Sequence, residues 1–82
     1  MIKPDDAEVL ATAKLQEYVN ACGCDTIEDV GNVLMKLLSV TGMALVATQG
    51  QDKAVAMMDG TAAHLAKPEF SKPFRMQVVR AH

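Results

Sequence analysis

Two cysteines separated by a single glycine, Cys22-Gly23-Cys24, are the residues of this 82-residue chain whose types and spacing come nearest to chemistry. Thiols that close can form a strained, readily reduced disulfide, and a thiol just ahead of a helix N-terminus can have its pKa lowered by the free N–H groups there. The neighbours work against this: no basic residue lies within several positions, and Asp25 follows directly, which raises a thiol pKa. A structural zinc site takes four ligands, usually as two short-spaced pairs. The remaining soft ligands are His64 and His82, eighteen residues apart. The pair therefore reads first as packing, with Cys22 completing the apolar stripe of a first helix and Cys24 filling the turn as a small hydrophobe. Thiol redox chemistry or metal binding through Cys22 and Cys24 is kept as an alternative function.

Other chemical candidates are thinner. His64 falls beside an apolar face near a helix end, where a charged imidazole is favourable, and reads as structural. Asp5-Asp6 and Glu28-Asp29 are adjacent pairs, so on a helix their side chains point about 100° apart and do not form an acid/base couple. Both suit helix N-termini better. No glycine-rich phosphate loop follows a strand, and no nucleophile elbow is present. The expectation is of no catalytic residue, no bound metal and no cofactor.

Charge is more informative than motif. The net charge is only −2, yet residues 1–29 hold seven acids against Lys3 and Lys14, while residues 67–82 hold Lys67, Lys72, Arg75 and Arg80 against Glu69. A basic tail lying over an acidic first third, within one chain or across a dimer, is the first reading. The second is contact between those four basic residues and nucleic acid, which makes a nucleic-acid-associated regulator the other alternative function.

These residues need elements to position them. The chain is long enough for one domain with a marginal core, and half of it is apolar with no Trp, one Tyr and two Phe, which favours helices over a sandwich. Pro4 followed by Asp5, Asp6 and Glu8 opens a helix over residues 5–22, with an apolar stripe of Ala7, Ala11, Leu15, Tyr18, Val19 and Cys22. Gly23 ends it. Asp25 and Thr26 open a second helix over residues 26–49, with Asp29 in capping-box register and a stripe of Val30, Leu34, Leu37, Leu38, Thr41 and Leu45. From Val40 to Gly50 there is no charge, and Met43, Ala44, Val46 and Ala47 make this half apolar all round. Such a helix must be covered all round, and two short flanking helices cannot cover it, so a second copy of the chain is the simplest cover. Gly31 and Gly42 inside it suggest a close backbone approach or a bend, and Gly42 could split it in two. Residues 30–48 are long enough to cross a membrane, but Asn32, Lys36 and the lack of flanking aromatics argue against insertion.

A third helix over residues 52–66 has the stripe Val55, Met58, Ala62 and Leu65, and stops before Lys67-Pro68. Residues 67–82 then change character. Pro68 and Pro73 exclude a helix interior, and Phe74, Met76 and Val78 alternate with Arg75 and Gln77 as in a strand. The five internal Met residues read as core filler. The stretch VGNVLMKLL on a central helix, followed by an Ala-rich one, resembles small bacterial proteins that dimerise as helical hairpins, over under a third of the chain.

The expected fold is thus all-α: a helical domain of residues 1–66 with a long central helix, and a basic extended arm or short strand over residues 67–82, forming an intertwined homodimer. Gly42, Met43, Leu45, Val46, Phe70, Phe74, Met76 and Val78 are the expected interface. The expected function is a non-enzymatic interaction or accessory protein of a bacterial or phage kind, cytoplasmic, with no membrane partner; no signal-like apolar segment occupies residues 1–20.

Overall fold

In the computed structural model, residues 1–70 are described, and they form an all-α chain. Helix α1 spans Pro4–Cys22, α2 spans Ile27–Gln49 and α3 spans Gln51–Leu65, followed by a single 3-10 turn at Pro68–Phe70. Among the described residues there is no strand. The expected boundaries hold to within a residue, and α2 runs unbroken through Gly42, so the glycine does not split it. The strand pattern of Phe74, Met76 and Val78 lies outside the described residues.

The chain divides into two compact units, with the division inside α2 after Leu34. In the first unit, Pro4 occupies the opening turn of α1, where its missing N–H is no loss, and Asp5 and Asp6 sit against the positive end of the helix dipole. Gly23 ends α1 in the left-handed conformation (φ 65°, ψ 41°), its N–H donating to the Asn20 carbonyl. The next helix is capped by side chains. Asp29 N–H donates to Thr26 Oγ1 at 3.0 Å, and Asp25 N–H donates to Asp29 Oδ2 at 3.3 Å. This is a capping box displaced outward by one residue, because the Asp29 carboxylate reaches Asp25 rather than Thr26.

The turn between these caps sets what is buried. Val19, Cys24 and Val30 form the core of this unit, with Tyr18, Val33 and Leu34 packed against them. Tyr18 also donates its hydroxyl to the Val33 carbonyl at 2.7 Å, tying α1 to α2. Cys22, expected in the apolar stripe, is exposed, whereas Cys24 is buried. The left-handed Gly23 redirects the backbone, so Cys24 is the residue that turns inward. Ala11 is likewise exposed, and the buried face of α1 is centred on Val19.

In the second unit, one residue joins α2 to α3. Gly50 has φ 87° and ψ 156°, a conformation open to glycine alone, with its N–H donating to the Val46 carbonyl and its carbonyl accepting from Ala54 N–H. So short a link brings the two helices close near its own position, and the residue there must be small: Ala54 is buried to 2 % exposure. The expected α3 stripe is therefore corrected. Met58 is half-buried as expected, but Val55 and Leu65 are 52 % and 58 % exposed, and Ala62 is exposed too. The contact face is set by Ala54 and Met58.

Candidate functional site

The first candidate is the thiol pair. Burial pushes the Cys24 thiol above its ordinary pKa, and charge on Cys22, Asp29 and Asp25 adds to the rise. A backbone hydrogen bond works the other way but does not outweigh these causes, so Cys24 is held as a neutral, buried thiol, contrary to the activation its position ahead of a helix suggested. Tyr18 is also raised, first by burial and then by Cys22, beside which its hydroxyl lies. Cys22 is the accessible member of the pair. Among the described residues no three His, Cys, Asp or Glu side chains cluster as metal ligands. His64 is exposed near the end of α3 and meets the Phe70 ring edge-on, with centroids 4.8 Å apart. The 3-10 turn at Pro68–Phe70 brings the ring to that contact on its own chain, and Phe70 remains 44 % exposed.

The second candidate is the surface of α2. A helix with no charge from Val40 to Gly50 should be enclosed, yet of its residues only Val30 is buried. Met35 is 60 %, Val40 58 % and Met43 64 % exposed. Its hydroxyls make no demand on solvent. Ser39 donates to the Met35 carbonyl, Thr41 to that of Leu37 and Thr48 to that of Ala44, each one turn back within the helix. These three hydroxyls thereby have partners within their own helix.

Of the expected interface residues, the structure separates two groups. Gly42 faces α3, and a methyl group built on it would lie 3.9 Å from Met58 Cε. Leu45, one turn on, is half-buried on that side. Gly42, Val46, Ala54, Val55, Met58 and Asp59 line a shallow hollow of about 230 Å³ between the two helices. Met43 points elsewhere and is fully available, and Val46 is 43 % exposed at the rim. Val40 belongs with Met43; the sequence reading passed over it because it falls outside the stripe of Val30, Leu34 and Leu37. Its signal was there in the spacing: Val40, Met43 and Ala47 recur at steps of three and four, on one line of the helix.

Lys67 is exposed just beyond α3, its N–H bonded to the His64 carbonyl. Lys72, Arg75, Arg80, Phe74, Met76 and Val78 lie outside the described residues, so the structure places one member of the basic set. By length and composition α2 is also apolar enough to cross a membrane, the one such helix among the described residues. Comparison with protein-family models, with curated proteins and with solved structures finds no match to the chain.

Proposed function

We propose that this chain is a non-enzymatic helical interaction protein that works as a homodimer in the aqueous phase, each copy supplying the cover that the other's central helix lacks. The observation behind it is the mismatch on α2, where a 23-residue helix has one buried residue while Val40 and Met43 stand more than half exposed. At the roughly 1.5–3 kcal/mol gained by fully burying one such side chain, covering the exposed parts of these two in both copies returns on the order of 4–6 kcal/mol. That is comparable to the whole stability of a small domain, about 5–15 kcal/mol. Lone Leu or Val side chains on a surface are ordinary, but a run of them along one helix with its hydroxyls turned inward is an association surface.

Light scattering and sedimentation across low-micromolar to high-micromolar concentration test the reading. A dimer whose melting temperature climbs with concentration supports it. A stable, cooperative monomer refutes it, and so does partition of the protein into lipid vesicles through α2. The basic-arm regulator makes a different demand: binding to nucleic acid that falls steeply with salt, and weakens when Lys67 and the three basic residues beyond it are neutralised.

A further inference from the structure

Resting on the self-association reading, we propose that the second copy docks antiparallel along the seam Lys36, Val40, Met43 and Ala47 of α2, with Lys36 of each copy reaching the C-terminal turn of α2 in the other. The seam is defined by geometry. At 3.6 residues per turn its mean direction lies about 130° round the helix from Gly42, the position that Met58 of α3 covers. All four of its residues are exposed, with Val40 and Met43 at 58 % and 64 %.

Charge selects the orientation. Lys36 is the single cation in α2 and it falls within the seam. In a parallel pair the two Lys36 side chains would face each other across the axis, a like-charge contact at the centre of an apolar surface. An antiparallel pair separates them. Matching each seam residue to its counterpart then places Val40 opposite Met43 of the second copy and Lys36 opposite Ala47. The pairing is favourable twice over. Ala47 is small enough for the lysine stem to pass over it, and the last turn of α2 has negative partial charge from its free carbonyls but no basic residue of its own. The second copy supplies the missing cation.

The contact is modest, with two large exposed apolar side chains per copy, Val40 and Met43, so a surface smaller than the roughly 800 Å² per partner of a standard interface is expected.

A spin label at Gln49→Cys, in a Cys22→Ser, Cys24→Ala background whose helicity is first checked by circular dichroism, reads the orientation without touching the seam. Gln49 sits on the face of α2 away from the seam, so the labelled Cα positions are about 27 Å apart in the antiparallel register, with about 22 Å of that offset along the axes, against about 15 Å side by side in a parallel pair. The longer distance is expected. The shorter distance, in a protein that is still a dimer, overturns the antiparallel seam and leaves self-association standing. No dipolar coupling, with a monomeric mass, overturns both. Lys36→Glu, on an exposed site where the helix is undisturbed, is expected to weaken dimerisation at least tenfold by placing an anion at the carbonyl end of the other copy's α2; unchanged or tighter dimerisation would remove the role assigned to Lys36.

Discussion

Gly31→Ala is expected to stabilise the protein, and the sign of the effect carries the argument. Gly31 lies inside α2, and a methyl group added to it meets no atom within 4 Å of its own chain; the same is true of Gly60 in α3. The sequence suggested that glycines inside these helices mark the approach of another backbone. Among the described residues nothing approaches Gly31 or Gly60. What remains is the intrinsic cost of glycine in a helix interior, about 0.5–1 kcal/mol relative to alanine, so each substitution should return that amount. In a chain of this size about 1 kcal/mol raises the melting temperature by roughly 4–8 °C. The proposed seam runs along the opposite side of α2 from Gly31, so docking of a second copy there leaves the gain intact.

Thermal unfolding followed by far-ultraviolet circular dichroism, at matched protein concentration for each variant, measures it. Gly50→Ala provides the contrast of sign: at φ 87° an added side chain is strained whatever space surrounds it, and a loss of about 1–3 kcal/mol is expected. A melting temperature lowered by Gly31→Ala would sink the reasoning, because it would mean that in the assembled protein the space beside Gly31 is filled by a second backbone. The interface would then have to be moved to that side of α2.

Tyr18→Phe removes the hydroxyl that donates to the Val33 carbonyl and should cost about 0.5–1.5 kcal/mol in urea unfolding, with the slope of the transition unchanged. Stability should be lost at alkaline pH: Cys24 and Tyr18 have pKa values raised above their ordinary 9.0 and 10.0, so their neutral forms favour the folded state. That contribution is complete below about pH 9 and disappears as the pH rises through the raised values; a stability flat to pH 11 would contradict it. Under native conditions at pH 8, Cys22 should react with a disulfide reagent at least about tenfold faster than Cys24, whose thiol must await local opening, and equal rates would place Cys24 at the surface.

Much of the fold was legible because its punctuation is local. Pro4 and the acids behind it, Gly23, Thr26 with Asp29, and Gly50 each act through backbone groups within a few residues, and each helix begins or ends beside them. Burial was less legible. Cys22 and Cys24 exchange their expected places because a left-handed glycine between them turns the chain by an amount that helical periodicity does not encode. Val55 and Leu65 satisfy the spacing of a buried stripe as well as any residue of α3 does. The one-residue link at Gly50 nevertheless fixes the rotation of α3 so that the smaller Ala54 takes the closest approach. On α2 the difficulty is different in kind. Its apolar residues lie in every direction, so no single stripe stands out, and spacing alone cannot say which line meets α1, which meets α3 and which is left over.

That surplus ties folding to association. Val30 is used by the core with Val19 and Cys24, and Gly42 by Met58, but only four residues among those described are buried: Val19, Cys24, Val30 and Ala54. Fixing the backbone costs roughly 1–2 kcal/mol per residue. Four buried side chains, none larger than Val, offset only a small part of that over seventy residues. The half-buried contacts and helical hydrogen bonds must supply most of the rest, and the line of α2 that carries Val40 and Met43 remains exposed apolar surface. A second copy that covers it adds to the stability of the helix itself as well as joining two finished domains. Variants of Val40 or Met43 should therefore shift the dimerisation constant and the melting temperature together, whereas variants on a surface that merely recruits a partner would shift the first alone.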